Sequence, residues 1–395
     1  MFLPALALLA ASIHTDFEGG SLGKVVWVSA THARCAVAGE SDQDKRNRQA
    51  NWYFFRVDGA KGQELTIDLV DLPGEYNYKP NRGAVTQDTI PVYSEDGGEW
   101  RHLDRVDYDP QEPRLRLRIK PAADRVWIAH VPPYTNRDLD KLLAEFRRHP
   151  HLRRAVIGRS VEGREILLLT VTNPAIGEAP QRVVWLMVRQ HSWEAGSSWA
   201  AEGALRFLLS PDAARLRDEA IFLIFPMCDP DGVARGGVRF NRHGYDLNRN
   251  WDRVDADRMP EIAAQRKAVL EWVDAGRRLD LFLSLHNTET GEYLEGPPDD
   301  RHATLRDRFF RMLKEATDFN PTQPARSGPP SSTPGMAGRM GVHQGLSRDR
   351  DVPAFVMEQM IAYNSKLGRL PTAADRLRFG ASLARAMIAA ARIAP

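Results

Sequence analysis

The first third of the chain carries short segments in which apolar and polar residues alternate. Examples are TIDLV at 66–70 and LRLRIK at 115–120. Such alternation is typical of a β-strand with one buried and one solvated face. Gly, Pro, Asn and Asp separate the segments and favour tight turns. We therefore expect an antiparallel sandwich or barrel, with strands over residues 24–29, 52–58, 64–69, 114–119 and 125–130.

After Pro132 and Pro133 the pattern changes to fully apolar segments that alternate with helical ones. Strands are predicted over residues 166–171, 183–188, 221–225, 281–285 and 354–357, and helices over 138–148, 198–209, 261–275 and 373–393. Strands that are apolar throughout are buried on both faces, as in parallel sheets covered by helices. The sequence therefore predicts an α/β fold, a mixed and mostly parallel sheet with helices on both faces, preceded by an all-β antiparallel domain.

These patterns divide the chain into an N-terminal β domain over 13–131 and a larger α/β domain over 132–395. Residues 320–345 are rich in Pro, Gly and Ser and predict a long irregular loop. Residues 1–12, MFLPALALLAAS, fit either an export signal or a plain N-terminal segment. A bilayer span needs about 20 apolar residues, and no segment reaches that length without charges, so we expect no membrane span. The cytoplasm and the periplasm both remain open as compartments.

Composition excludes several classes of protein. The 54 Lys and Arg against 52 Asp and Glu give a formal charge of +2, so no overall field favours nucleic acid, and no nucleic-acid partner is expected. Hydrophobic residues make up 43% of the chain, which is ordinary for a globular protein and excludes disorder. The only cysteines, Cys35 and Cys228, cannot form a disulfide framework or a cysteine-rich zinc site.

A candidate metal site begins where the predicted strand at 183–188 ends. His191 and Glu194 follow that strand three residues apart, just before a helix. Open α/β sheets place their ligands at this edge, and an imidazole with a carboxylate suits Zn²⁺. His286, after the apolar run LFLSL, supplies a third candidate at the same edge. Two histidines and a glutamate would leave a coordination position for water, although each pattern alone also fits an ordinary polar side chain at a strand end.

Two further stretches could complete such a site. Residues 229–251, DPDGVARGGVRFNRHGYDLNRNW, begin with a predicted turn at 230–232 and contain Arg239, Asn248 and Arg249 among few apolar side chains. An Arg can bind a carboxylate through two parallel hydrogen bonds or hold a polarised carbonyl oxygen, and the alternative is a solvated surface loop. Glu358 is expected at the end of the strand PAFVM, where it could act as a base.

Taken together, these motifs resemble the zinc metallocarboxypeptidases of the carboxypeptidase A-like superfamily, and most closely the cytosolic carboxypeptidase subfamily. His191-Ser-Trp-Glu194 is similar to the metal motif, and the DPDGV and DLNR stretches are similar to family segments. The segments DFEGGSL, NWYFFRV and VPPYTNRDLDKLL resemble the subfamily's N-terminal β-sandwich, and GRSVEGREILLL resembles the strand pair that enters its catalytic domain.

The resemblance implies a role for each residue. His191, Glu194 and His286 would bind one Zn²⁺ per chain, Glu358 would act as general base and then acid on a metal-activated water, and Arg239 would polarise the scissile carbonyl. Asn248 and Arg249 would hold the terminal carboxylate of a peptide or protein substrate. The implied activity is hydrolysis of the C-terminal peptide bond. The alternatives are a zinc amidase acting on N-acyl amino acids and an inactive module that binds C-termini.

The sequence departs from the family pattern in two places. No Tyr lies between Tyr293 and Tyr363, where the family carries an active-site Tyr, and we assign no residue to that role. Ser192 and Trp193 replace the subfamily's usual Pro-Gly between the metal ligands. For specificity, His343, Arg348 and Arg350 precede Glu358 in the region that shapes the family's side-chain pocket. A cation there would favour acidic C-terminal residues, and the alternative is that all three are solvated.

Overall fold

The computed structural model describes residues 11–177, 181–328 and 337–392. The predicted signal at 1–12, the middle of the predicted loop at 320–345 and the predicted end of the last helix at 393 lie largely outside these ranges. Within residues 11–177, 181–328 and 337–392, no helix has the length and apolar character that a membrane crossing requires.

The N-terminal part consists of fourteen short strands. They are β1 Ser12–His14, β2 Val25–Ser29, β3 His32–Ala36, β4 Glu40–Ser41, β5 Arg48–Gln49, β6 Phe54–Asp58, β7 Leu65–Val70, β8 Gly74–Tyr76, β9 Lys79–Asn81, β10 Val92–Ser94, β11 Arg101–His102, β12 Val106–Asp109, β13 Arg114–Ile119 and β14 Arg125–Ala129. One sheet has the order β1-β6-β14-β10-β11, a second has the order β12-β13-β7-β3-β2, and a small sheet has the order β4-β5-β8-β9. All pairs are antiparallel except β3 with β7.

The two five-stranded sheets pack face to face because each contributes alternate apolar side chains to one core. Phe55 and Val57 of β6 meet Ile67 of β7 and Leu117 of β13 in this core. The other side chains of β6 point away from it, and Phe54 packs against the α/β domain. The predicted sandwich is therefore confirmed, and the part of one sheet around Phe54 is buried against the α/β domain.

The second part alternates helices with strands. Its elements are α1 Asn136–Glu145, β15 Leu152–Arg159, β16 Glu165–Val171, β17 Arg182–Val188, α2 Ala195–Leu209, a 3₁₀ turn at Pro211–Ala213, α3 Ala214–Glu219, β18 Ala220–Phe225, α4 Pro230–Arg235, α5 Pro260–Asp274, β19 Leu281–Thr288, β20 Tyr293–Gly296, α6 Ala303–Ala316, β21 Arg326–Ser327, α7 Val342–Arg350, β22 Ala354–Met360 and α8 Ala373–Ala391. Eight strands form one sheet in the order β15-β16-β18-β17-β19-β22-β20-β21.

The centre of this sheet is parallel, from β18 through β17 and β19 to β22, and antiparallel pairs flank it. Both faces are covered, which explains the uniformly apolar strands. On β17, Val184, Leu186 and Val188 face the core that contains α2 and α8, whereas Trp185 and Met187 face the core that contains α5 and α7. The predicted mixed, mostly parallel sheet is confirmed.

Helices α2 and α8 approach each other closely at two glycines. A Cβ on Gly203 would overlap the Leu377 carbonyl, and a Cβ on Gly380 would overlap the Ala200 carbonyl. Only glycine allows two helix backbones to come this near without displacement. The contact fixes α8 against the helix that begins directly after Glu194.

The structure corrects three local predictions. Residues 230–232 start the short helix α4 instead of forming a turn, because Asp229 caps its N-terminus by accepting the Gly232 amide and Pro230 stands at the first helical position. The predicted loop at 320–345 ends early, at α7, which begins at Val342. His286 and Glu358 lie within β19 and β22 instead of at their ends. Both strands continue beyond their apolar runs because polar residues pair across them, including His286 with Glu358.

Candidate metal centre and substrate cavity

His191 and Glu194 are presented by the tight connection between β17 and α2. The connection starts at Arg189, which has a positive φ of 62°. The Arg189 side chain is buried and stabilises the bend by donating from Nε to the Ser192 carbonyl at 2.9 Å and from Nη1 to Ser198 Oγ at 3.1 Å. Glu194 directly precedes α2. The bend therefore directs both predicted ligands to the same side.

His286 joins them from the neighbouring strand β19. The His191 Nδ1 atom lies 2.6 Å from Glu194 Oε1, and the His286 Nδ1 atom lies 2.9 Å from Glu194 Oε2. Ligand atoms of all three buried residues lie within 4.8 Å of one another. Two imidazole nitrogens and a carboxylate are the donor set of a catalytic zinc site with one position left for water. The three residues therefore fit zinc.

The opposite nitrogen of each imidazole has its own partner, which fixes the ring. His191 Nε2 lies 3.0 Å from Asp246 Oδ1, and His286 Nε2 lies 2.9 Å from Ser284 Oγ and 3.1 Å from Gln190 Oε1. Such contacts keep the Nδ1 atoms facing the metal position. Sequence reasoning missed Asp246, Ser284 and Gln190 as parts of the site. Asp246 could have been found, because it begins the Asp-Leu-Asn-Arg stretch.

The carboxylates around this centre have strongly shifted pKa values. Burial alone would raise the pKa of Glu194, but the two imidazoles reverse this and lower it to about 2. Burial likewise opposes ionisation of Asp246, yet Arg239 and His191 hold its pKa well below the usual value. The two carboxylates stay ionised beside His191 and favour a cation between the ligands.

Glu358 lies on β22, the strand next to the one that carries His286. Strand register aligns His286 of β19 with Glu358 of β22, and Glu358 with Tyr293 of β20. Burial and the nearby Glu194 carboxylate raise the pKa of Glu358 well above its usual value, against a lowering hydrogen bond from Tyr293. The buried Glu358 Oε2 atom accepts no hydrogen bond from the described residues. A carboxyl group in this state can take up and release a proton.

A cavity of about 480 Å³ opens beside these residues and is lined by Glu194, Arg239 and Glu358 together with Trp193 and Glu289. Its opposite wall belongs to the N-terminal domain. That wall includes Arg48, Gln49, Asn51, Arg82 and Asp88. Which residues of the sandwich line this cavity could not be predicted from the sequence, because contacts between distant segments leave no periodic pattern.

Arg239 and Arg249 line a second, smaller cavity. Asn248 lies beside the candidate ligand His286. Arg239 Nε donates to Asp246 Oδ2 at 2.7 Å, and Arg239 lines both cavities. Asn248 Nδ2 lies 3.4 Å from His286 Nε2. Arg249 lines the second cavity, of about 170 Å³, and its buried Nε has no hydrogen-bond partner among the residues described. The structure therefore brings these three predicted residues close to the metal centre.

The three predicted specificity residues lie elsewhere. Arg348 pairs with Asp349 at 2.6 Å and Arg350 with Asp274 at 2.6 Å, both with exposed side chains. Neither arginine lines either cavity. His343 is buried, with Nε2 at 3.4 Å from Glu295 Oε1. The two arginines lie outside the cavities because residues 342–350 form helix α7, which directs its two C-terminal arginines towards solvent and α5.

Comparison with known families identifies both parts of the chain. A model described as zinc carboxypeptidase matches residues 139–317, and a model described as cytosolic carboxypeptidase N-terminal domain matches residues 13–131. Residues 139–317 are a zinc carboxypeptidase domain. With that domain the chain is a metallocarboxypeptidase, which is a class of hydrolase. The resemblance noted from the sequence is confirmed, while Glu358 lies beyond the matched segment.

Individual relatives are similar to most of this chain. Mouse cytosolic carboxypeptidase 2 is 28% identical over 328 residues, covering 76% of this chain and 38% of its own length. An uncharacterised protein of Zymomonas mobilis is 29% identical over 338 residues, covering 83% of this chain and 82% of its own. The chain thus spans well under half of the mouse protein.

Solved structures share the whole fold. The metallo-carboxypeptidase of Pseudomonas aeruginosa, in complex with (2-guanidinoethylmercapto)succinic acid, superposes with a TM-score of 0.79 at 25% identity and covers 96% of this chain and 98% of its own. The metallo-carboxypeptidase of Burkholderia cenocepacia gives a TM-score of 0.80 at 22% identity, covering 97% and 99%. The two-domain architecture is therefore common to these proteins.

Proposed function

We propose that this metallocarboxypeptidase removes single residues from the C-termini of peptides or proteins in a zinc-dependent reaction. The observation that carries the proposal is the convergence of His191, Glu194 and His286 at a site where Glu194, Glu358 and Arg239 line one cavity. An exopeptidase must also recognise a free carboxylate. Arg249, with its buried Nε available in the adjoining cavity, suits that task.

Each residue has a distinct task in this proposal. His191, Glu194 and His286 hold the zinc ion, which when bound supplies Lewis acidity that polarises a carbonyl group and lowers the pKa of a water molecule. Glu358 takes a proton at its carboxylate and returns it to the leaving amine, for which its raised pKa is suited. Arg239, oriented by Asp246, stabilises negative charge on the carbonyl oxygen.

Asn248 and Arg249 orient the substrate. The Asn248 side chain is fixed because its Oδ1 accepts the Val342 amide at 3.0 Å. Arg249 donates from Nη1 to the Asn248 carbonyl at 2.7 Å, which leaves its other donors for a carboxylate. Binding the terminal carboxylate at this point sets which peptide bond lies beside Glu358 and Arg239.

The test is mass spectrometry of a peptide library incubated with the zinc-loaded enzyme, using Glu358→Gln and the exposed Glu271→Gln as matched variants. We expect wild-type and Glu271→Gln to release single C-terminal residues. Glu358→Gln should lose activity by about 100-fold or more while retaining one zinc ion per chain. Internal cleavage, or faster hydrolysis of N-acyl amino acids than of peptides, would contradict the proposal; the second result would favour an amidase. Full activity of Glu358→Gln would refute its role.

We further propose a preference for acidic C-terminal residues, with a different basis from the one that the sequence indicated. The smaller cavity is lined by Arg46, Arg239, Arg249 and Arg339. Asp42, Asp44 and Asp246 line the same cavity and pair with Arg46 and Arg239, so the four arginines exceed the carboxylates by one charge. Burial and the nearby Arg249 and Arg46 lower the pKa of Arg339. An acidic side chain next to the bound terminal carboxylate would complement these arginines.

Peptides that differ only in a C-terminal Glu or Leu measure this preference. Wild-type enzyme should have the higher kcat/KM for Glu, and Arg339→Gln should lose about 10-fold on the Glu peptide with little change on the Leu peptide. Arg348→Gln is the matched control because Arg348 lies outside both cavities. Equal rates on the two peptides in wild-type enzyme would exclude the preference.

A further inference from the structure

The loop that carries Arg239 is held by a carboxylate from the other domain. Glu40, in strand β4 of the small N-terminal sheet, directs its side chain at residues 238–240. Its Oε2 atom accepts the backbone amides of Val238 at 2.9 Å, Arg239 at 2.6 Å and Phe240 at 2.9 Å. Three consecutive N–H groups thus converge on one oxygen, in the manner of an anion-binding backbone concavity.

The second oxygen of Glu40 makes a further contact with the same region. Glu40 Oε1 accepts from Arg235 Nη2 at 2.7 Å, and Arg235 also donates to the Phe240 carbonyl. Hydrogen bonds that involve a charged partner are shorter and stronger than neutral ones. The Glu40 carboxylate therefore restrains both the start and the end of the 235–240 segment.

The opposite side of this loop contacts the metal centre. The Val238 carbonyl accepts the amide of Trp193, between the ligands His191 and Glu194, at 3.0 Å. Arg239 Nε donates to Asp246, which in turn contacts His191 Nε2. The loop thus lies between the N-terminal domain on one side and the residues of the proposed reaction on the other.

We infer that Glu40 is a positioning residue through which the N-terminal domain fixes Arg239 in the orientation that the carboxypeptidase reaction needs. This inference rests on the proposed function of Arg239. The inference gives the N-terminal domain a part in the chemistry beyond packing, because the carboxylate that accepts amides 238–240 comes from that domain. Glu40 acts only through the loop and does not contact the substrate.

The first test is hydrogen–deuterium exchange, which needs neither zinc nor substrate. In Glu40→Ala, amides 238–240 should exchange at least about 10-fold faster than in wild-type protein. Glu18→Ala is the matched control, because Glu18 is another N-terminal carboxylate that binds across the domain boundary, and its oxygens contact the Asn136 amide at 3.1 Å and Arg137 at 3.5 Å instead of amides 238–240. Unchanged exchange at 238–240 in Glu40→Ala would overturn the inference whatever the enzyme's activity.

The second test is kinetic. Glu40→Ala should lower kcat about 100-fold with KM within about 3-fold of wild type, because misplacement of a group by about 1 Å has effects of this size. Glu40→Gln keeps an acceptor oxygen and should recover most of the loss. In an Arg239→Ala background, Glu40→Ala should have no further effect on kcat, whereas a merely structural role would add its own loss.

Glu40→Asp replaces Glu40→Ala in the kinetic test if the alanine variant does not fold. It keeps the charge but withdraws the oxygens by one methylene, so kcat should fall about 10-fold, again only when Arg239 is present. Wild-type kcat in Glu40→Asp, or additive losses with Arg239→Ala, would overturn the inference. An inactive wild-type enzyme would instead refute the proposed function, and the exchange experiment would still decide whether Glu40 orders the loop.

Discussion

Asp246 connects the metal ligands with the proposed oxyanion residue. One oxygen contacts His191 Nε2 at 3.0 Å and also accepts the Asn248 amide at 2.9 Å, while the other accepts from Arg239 at 2.7 Å. A single carboxylate thus orients a proposed metal ligand, the proposed oxyanion arginine and the start of the proposed substrate-binding segment. Changes at Asp246 should affect metal binding and turnover together.

We predict that Asp246→Asn weakens zinc binding about 10- to 100-fold, the usual effect of losing a contact to a metal-binding histidine. The amide keeps the size of the side chain but removes the charge that stabilises His191 and Arg239. Competition with a chromogenic chelator measures the affinity. Asp255→Asn, an exposed carboxylate in the same segment, should bind zinc like wild type; equal affinity for Asp246→Asn would contradict the prediction.

At this scale the sequence grouped the three proposed metal ligands but not the side chains that contact them. His191, Glu194 and His286 could be grouped because each follows an apolar run, and such runs end near one edge of a parallel sheet. Gln190 and Ser284 carry no such signal, since a neutral polar residue near a strand end fits solvent equally well. The acidic-specificity prediction at His343, Arg348 and Arg350 relied on their place ahead of Glu358, in the region that shapes the family's side-chain pocket. Helix α7 turns Arg348 and Arg350 away from both cavities.

At the scale of elements, buried charge stabilises the sandwich. Asp68 of β7 is buried and accepts two hydrogen bonds from Arg116 of β13, at 2.6 and 2.9 Å, and lies 3.0 Å from His32 of β3. Burial opposes ionisation, but these partners outweigh it and lower the pKa of Asp68 to about 2. One carboxylate therefore joins three adjacent strands.

Asp68→Asn should reduce the free energy of unfolding near pH 7 by about 2 kcal/mol, because Arg116 loses its charged partner. Since the folded pKa lies below the unfolded one, this contribution is present above about pH 4 and is lost as the pH falls towards 2. Urea unfolding at several pH values measures both effects. Glu64→Gln, which removes an exposed pair with Lys120, should change stability by less than about 0.5 kcal/mol. A difference for Asp68→Asn that persists at pH 2 would contradict the assignment.

The types of the predicted elements followed from the sequence because the periods of strands and helices differ clearly in this chain, but helix α6 was not predicted. Their ends were less predictable. Strands β19 and β22 continue through polar residues that pair with each other. A prediction from hydrophobicity alone therefore placed the ends of both strands too early. The start of α7 was concealed by glycines and serines, since its buried residues Val342 and Leu346 are separated by polar ones.

At the scale of the whole molecule, the two domains share one hydrophobic core. Trp52, Phe54 and Val92 of the sandwich belong to the same buried cluster as Leu139 and Trp193 of the α/β domain. An apolar interface of this kind holds domains in a fixed relation. It also explains how the sandwich can form a wall of the larger cavity.

We expect a chain limited to residues 132–395 to be poorly soluble, because truncation uncovers this cluster. Soluble yield and size-exclusion chromatography, compared with the 395-residue chain, provide the measurement. A monomeric, soluble fragment with an unchanged melting temperature would show that the shared core is dispensable.

The central claim is that His191, Glu194 and His286 bind one zinc ion. Anomalous diffraction at the zinc absorption edge, from crystals of the zinc-loaded protein, tests it most directly. We predict one strong peak at about 2.0–2.2 Å from His191 Nδ1, His286 Nδ1 and a Glu194 oxygen. A map without a peak among these three side chains, or with its strongest peak at another site, would contradict the account.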